Sequence, residues 1–405
     1  MKKLLIIEKS PSGAMGLKKA KSRGCYVIFI GSDKYHNKAT QEDQKFIDEM
    51  HFVDTNDRQK VLAIVDDIAR RHTLDGVFTF MEFYVELAAI VADRLGLNGV
   101  PVTGASNARD KMKMRQLFTA AGLEQPRFSV FSTKEELLSQ VDDFDYPNII
   151  KPINMSGSRG VIKNNDRNEL ELNFSELDVL NPLFGVRKEE QYLLEQYIPG
   201  EEFSVESVTF HGHTTIVSVT KKIVKGGKYF VEIGHISPAS ISATVLDNIE
   251  AVVRKSIAVL GLDNTVTHCE LKVDGEHITI IEIAARLGGD HIPELVEKSS
   301  GVDLWDCALS ISLNEQPCLV KKQARFSAIS FITAEEGCIE SFNLSTLPDS
   351  VAVQEVHKNF KTGDTVRALT CSSDRLGYLI LESEKYDEVA RLCQIPESLY
   401  VIKTI

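Results

Sequence analysis

The chain has 405 residues, 43% of them apolar and 26% charged, which is the balance of a folded protein long enough for two to three domains of about 150 residues each. Its 46 Lys and Arg against 58 Asp and Glu leave a net charge of −12, which disfavours bulk nucleic acid and anionic membrane as main partners. The apolar run at 4–7 is broken by Glu8 and Lys9 and is too short for a signal peptide. No stretch reaches a membrane span, and the seven scattered cysteines lack a C-x-x-C pair, so a reduced, cytoplasmic protein is expected.

In chain order, short apolar runs at 3–7, 26–30, 51–53 and 76–80 have strand length. Between them Val61, Leu62, Ile64, Val65 and Ile68, and then Val85, Leu87, Ala88, Val91 and Leu95, recur at helical spacing. Strands alternating with helices predict a parallel sheet covered by helices. A last strand and exit turn are expected at 99–104, closing this unit near residue 105. A helix over 108–121 is stopped by Gly122 and Pro126, and Ser132-x-x-Glu135 reads as the capping box of another. Strands are expected at 146–151, 191–198 and 202–208, a helix at 246–260, and a hairpin of 270–273 with 279–284 around Asp274-Gly275. Beyond about 325, strand-like runs such as 325–332 and 377–381 predict a smaller closing subdomain.

Three strings carry chemistry. Lys111 opens the helix after Asp110, and Lys151 ends a strand that runs into Ser156-Gly157-Ser158-Arg159-Gly160. A loop of glycines and serines behind a lysine can turn backbone N–H groups toward a phosphate, although an ordinary hairpin turn has the same composition. Glu195-Gln196-Tyr197-Ile198 and Glu202 bracket a strand end, where a solvated acidic edge is the plain alternative. The third string is His268-Cys269-Glu270-Leu271-Lys272 followed by Ile281-Glu282-Ile283-Ala284-Ala285-Arg286-Leu287-Gly288-Gly289-Asp290. Glu270 and Lys272 share a strand face, and Glu282 interrupts an apolar run, where a carboxylate is costly unless a cation or donor meets it. Two such carboxylates on adjacent strands suit Mg²⁺ shared with nucleotide phosphates, with Arg286 as a forked donor; a cross-strand Glu–Lys pair is the structural alternative.

In this order, the strings resemble the ATP-grasp superfamily from the first strand to about residue 315, and T-H-C-E-L-K with E-I-A-A-R-L-G-G-D resembles its dipeptide-forming L-amino-acid ligases. The resemblance implies a mixed α/β fold: a Rossmann-like pre-ATP-grasp domain over 1–105, a linker and small lid over 106–200, a large subdomain with the metal site over 201–320, and a β-rich subdomain over 321–405. It implies Lys111 and Lys151 on the α- and β-phosphates of ATP and Ser156, Gly157, Ser158 and Gly160 in a loop closing over the triphosphate. Glu195, Tyr197 and Ile198 would flank the adenine and Glu202 the ribose. Glu270 and Glu282 would bind Mg²⁺ or Mn²⁺, and Arg286 would stabilise the transferred phosphoryl group. Ala284 stands where many members have Asn, which favours the dipeptide-ligase branch over the carboxylases.

The implied activity is an ADP-forming ligase that joins two L-amino acids through an acyl phosphate. A carrier-protein thiol, an antibiotic-precursor amine, or the substrates of a carboxylase or purine-biosynthetic enzyme stay open as alternatives, as does a regulator that binds nucleotide without turnover. His235 would contact the acyl phosphate or assist the incoming amine, with a hydrogen-bonded loop histidine as the plain alternative, and Asp290 and His291 could line an amine pocket. Glu82 and Glu86 read as a solvated helix face, with contact to substrate as the alternative, His211 and His213 as a hairpin turn, and Cys269 as facing away from the site. A homodimer is the default assembly.

Overall fold

The structure, a computed structural model, describes every residue except 10–13, 35–38, 187, 323 and 324. The first unit is a four-stranded parallel sheet of β1 (Lys3–Ile7), β2 (Tyr26–Gly31), β3 (Glu49–Phe52) and β4 (Gly76–Phe78), in the order β3-β2-β1-β4. Leu4 through Ile7 and Val27 through Ile30 are all buried because helices cover both faces, which explains runs without alternation. The helix Arg58–Arg71 starts at Asp57, whose side chain accepts from the backbone N–H of Lys60, and it turns Val61, Val65 and Ile68 to the sheet.

The strand expected at 99–104 does not form: the segment carries no strand pairing, and a helix, Val102–Arg109, begins within it. Gly104 explains the packing: a Cβ there would stand 2.4 Å from the carbonyl oxygen of Gly261, so only glycine lets this helix meet the end of the helix Ala243–Leu260. The predicted helix 108–121 is correspondingly shorter, Lys111–Ala120, because Asp110 ends one helix and caps the next by accepting from Met112 and Lys113. The capping box also lies one residue further on. Thr133 accepts from the N–H of Glu136, and Glu136 reaches back to the N–H of Ser132.

A second sheet, antiparallel, joins β5 (Phe128–Phe131), β6 (Asn148–Pro152), β7 (Ile162–Asn164) and β8 (Tyr192–Gln196) in the order β5-β8-β6-β7. The largest sheet is antiparallel and eight-stranded. It begins with β9 (Glu201–Phe210), β10 (His213–Lys225), β11 (Val231–Ser237), β12 (Thr265–Asp274), β13 (His277–Ala284) and β14 (Phe326–Ile332). Of the later strands β15 (Gly337–Leu344), β16 (Ala352–Lys358), β17 (Thr365–Val366), β18 (Gly377–Ser383) and β19 (Tyr400–Thr404), β16 and β18 extend it, giving the order β13-β12-β9-β10-β11-β14-β18-β16. β17, β15 and β19 form a sheet of their own. Strands from beyond residue 325 therefore continue the sheet that carries the carboxylates. Among the described residues no helix is long and apolar enough to cross a membrane.

Candidate active site

Alternation with period two places polar side chains on one face of the large sheet. Glu202, Ser204 and Glu206 recur along β9, and His268, Glu270 and Lys272 along β12. The register sets them opposite one another: Glu202 faces Lys222 on β10 and Lys272 on β12, Glu206 faces His268, and Glu270 faces Glu282 on β13. A bulge next to that last pair leaves Ile281 as the extra residue of β13, so Ile281 and Glu282 both line the same cleft. The cleft lies between this face and the four-stranded sheet β5-β8-β6-β7, with residues from both along its walls.

Of the residues expected from sequence, Lys111, Lys151, Ser156, Gly157, Ser158, Glu195, Tyr197, Ile198, Glu202, His235, Glu270, Glu282 and Arg286 line this cleft. Gly160 does not. It has a φ of +75°, and a Cβ there would stand 2.6 Å from Leu180 and 3.0 Å from Pro152, so its glycine serves packing at the loop base. Gly157 and Ser158 also take left-handed φ values, 68° and 58°, which turn the backbone sharply at the tip.

Ion pairs fix most of the charged groups. Lys111 Nζ lies 3.0 Å from Glu282 Oε1 and donates to the carbonyl of Met155 at 2.8 Å. Glu195 corrects the expectation of an adenine contact through its side chain. It is buried, with Arg115 Nε 2.8 Å from one oxygen and Lys151 Nζ 2.7 Å from the other, so it acts on the cleft by holding Lys151. Burial alone would raise its pKa, but Arg115 and Lys151 outweigh that and hold it at about 2. Burial pulls the Lys151 pKa down against the attraction of Glu195. Ile149, Val161, Ile198 and Ile281 give the cleft apolar lining, and Lys272 lies over the Tyr197 ring at 5.2 Å.

Several groups were not singled out from sequence. Lys222 Nζ, fully buried, contacts Glu202 at 2.7 Å and both Glu232 and Glu270 at 3.2 Å. Burial lowers its pKa, yet Glu202, Glu270 and Glu232 outweigh this and raise it well above the usual lysine range. His268 bridges Glu206 at 2.7 Å and Glu270 at 3.2 Å; burial opposes its protonation, and the two carboxylates still raise its pKa to about 9. The sequence signal for it was available, since His268 shares the alternation of Glu270 and Lys272. No such signal exists for Ser372 or Arg375, which come from beyond β17. Ser372 donates to Glu232 at 3.1 Å, and Arg375 grips Asp290 with two nitrogens at 2.6 and 2.7 Å.

Asp290 therefore lines the cleft with its carboxylate engaged by Arg375, not free for an amine; burial would raise its pKa, but His235 and Arg375 push it far below the carboxylate range. His235 Nε2 is 3.4 Å from Asp290, and its buried Nδ1 has no hydrogen-bond partner among the described residues. His291 packs against Tyr378 with the rings tilted at 44° and does not line the cleft. Glu82 is not on a solvated face: it sits in the turn Glu82–Tyr84, buried, with Arg286 Nε 2.5 Å away. Glu86 pairs with Arg58 outside the cleft. His211 forms the β9–β10 turn and His213 opens β10, both away from the cleft, and Cys269 is buried on the opposite sheet face with its thiol pKa pushed up by desolvation.

No three His, Cys, Asp or Glu side chains among the described residues converge as a closed metal cage. Among the carboxylates that line the cleft, the donor pair set directly opposite each other by strand register is Glu270 and Glu282. Oxygen-only and incomplete, it fits Mg²⁺ that keeps waters and takes further ligands from phosphate.

Residues 144–294 match the family model of the ATP-grasp domain and residues 17–99 that of the ATP-grasp N-terminal domain. The chain is 28% identical over 291 residues to an alanine–anticapsin ligase of Bacillus subtilis, a match covering 65% of this chain and 61% of that protein's length. It is 21% identical over 352 residues to an L-arginine-specific L-amino acid ligase of Bacillus subtilis, covering 86% and 85%. Among solved structures, an L-amino acid ligase from Bacillus licheniformis superposes with a TM-score of 0.82 at 22% identity, over 100% of this chain and 99% of that one. A phosphoribosylglycinamide synthetase from Anaerococcus prevotii gives 0.73 at 21% identity over 100% of both chains. At such identity these two likenesses establish the fold. The chain thus carries an ATP-grasp N-terminal domain followed by an ATP-grasp domain.

Proposed function

We propose that the protein is an ATP-dependent carboxylate–amine ligase that joins two L-amino acids, releasing ADP and phosphate. The observation that carries this reading is the convergence of Lys111, Lys151, Glu270, Glu282 and Arg286 on one cleft from four separated segments of chain. The relatives named for ligating amino acids support the choice of substrates.

The carboxylate of the first amino acid attacks the γ-phosphorus of ATP, ADP leaves, and an acyl phosphate results. The amine of the second amino acid then attacks the acyl carbon and phosphate leaves. Lys111 and Lys151 neutralise phosphate charge, each already oriented by a carboxylate. Glu270 and Glu282 would hold Mg²⁺, which when bound draws charge from the phosphates. Arg286 is held by Glu82 and by the carbonyl of Leu287 at 2.6 Å, and its remaining terminal nitrogen has no hydrogen bond among the described residues, leaving it for the transferred group. The loop 156–160 excludes water from the acyl phosphate when it closes. His235 stands beside the place of aminolysis, its Nδ1 uncommitted.

The test is release of ADP and phosphate from Mg-ATP across single amino acids and their pairs, with the peptide identified by mass. Release that is indifferent to amino acids, or AMP as product, overturns the reading. Arg286→Lys is expected to lower kcat by about 10- to 100-fold with ATP affinity unchanged, because a point charge cannot keep both the Glu82 and Leu287 contacts and still donate to the cleft. Nucleotide affinity falling in parallel with kcat would count against that role.

A further inference from the structure

One buried carboxylate ties together parts of the site that lie far apart in sequence. Glu82, in the N-terminal unit, has Arg286 Nε 2.5 Å from Oε2 and Arg109 NH1 3.6 Å from Oε1. Arg109, the last residue of Val102–Arg109, also donates from NH2 to the carbonyl of Asn154 at 2.7 Å. Lys111, two residues on, donates to the next carbonyl, Met155. The loop 156–160 follows directly, so its base is held by side chains from the junction of two helices.

Arg286 and Arg109 each carry many rotamers, and a guanidinium works as a fork only when its plane is fixed. Glu82 fixes the first directly. It also supplies the counter-charge for the second, whose NH1 is buried without a hydrogen bond among the described residues. Remove that charge and the two partly buried guanidiniums lose the counter-charge they share, leaving Arg286 the field of Glu282 and Glu270.

We propose that Glu82 is a positioning residue that sets Arg286 and, through Arg109, the base of the loop 156–160 in one geometry, so that the group facing the transferred phosphoryl and the cover over it are aligned together. The proposal rests on the ligase reading for what the two parts do, but the linkage itself is a matter of loop and side-chain geometry.

Two variants separate the arms: Glu82→Gln removes the charge that both arginines share, and Arg109→Gln cuts only the arm to the loop. Arg159 offers a trypsin site inside the loop, which reads loop closure without any turnover. In wild type, Mg-ATP should slow cleavage after Arg159, identified by mass. Both variants should lose that protection while still binding a fluorescent ATP analogue as wild type does. Glu82→Gln should also lower kcat for ADP release by about 10- to 100-fold at unchanged KM for ATP, because misplacement by about 1 Å is enough for that loss. The double variant should be no worse than Glu82→Gln alone, since the two share one path. Wild-type kcat in folded Glu82→Gln, or full loop protection in either variant, overturns the proposal, as does absence of nucleotide protection in wild type. Should Glu82→Gln not fold, Arg109→Gln decides the matter by the same cleavage. If wild-type protein binds Mg-ATP yet forms no ADP with any amino acid, the ligase reading falls and the cleavage comparison still judges the linkage.

Discussion

Replacing Glu282 by Gln should remove ADP formation by at least about a hundred- to a thousandfold while the protein stays folded, the scale on which loss of one charge-stabilising group acts on a transition state. Glu282 and Glu270 are register partners on β13 and β12, and Gln keeps the shape of the side chain while removing its charge. Losing one of the two carboxylates halves the protein's charge on a hard dication that already keeps waters and leans on phosphate for its other ligands. The fold should tolerate the change, because the Glu282 side chain is 22% exposed and Lys111 keeps the Met155 carbonyl as acceptor. A coupled ADP assay across Mg²⁺ concentrations, with a thermal melt alongside, checks both halves. Turnover within tenfold of wild type would remove Glu282 from the metal site; a melt lowered by more than a few degrees would make it a structural residue instead.

What the sequence made legible was governed by local periodicity. The strands of the parallel sheet and the β12–β13 hairpin stood out because apolar runs and alternation are properties of neighbouring residues. The segment 99–109 did not, because Val100 and Val102 look like strand and the decisive contact, Gly104 against Gly261, joins positions far apart. Ser132 and Thr133 both fit a capping pattern with a Glu three residues on, and only the backbone chooses between them. Glu82 read as surface because its partner Arg286 is 204 residues away. Arg375 was silent for the same reason: nothing near it hints at Asp290. The lysine-rich stretch of β10 shows the limit most clearly. Lys221 and Lys222 are chemically identical neighbours, and the parity of strand pairing alone sends one of them into the cleft.

That pair also gives the sharpest stability test. Lys222→Met should destabilise the protein by about 3–5 kcal/mol, the usual consequence of removing one partner from a buried ionic cluster. Met has the length and apolar stem of lysine, so packing changes little; what is lost is the one cation touching Glu202, Glu232 and Glu270. Three partly buried carboxylates would then lose the cation they share. His268 would be left as the other partner of Glu270, and Ser372 as the other partner of Glu232. At about 2–4 °C per kcal/mol for a domain of this size, the melting temperature should fall by about 10 °C. Lys221→Met is the control. Lys221 pairs with Glu201, whose side chain is 64% exposed, and an ion pair so open to water contributes about 0–1 kcal/mol. The two variants remove the same charge from adjacent residues, so any difference between their melts belongs to the cluster and not to net charge. Lys222→Met melting with Lys221→Met would mean that the acidic face relaxes without its cation, and that Glu202 and Glu270 owe their positions to the strands alone.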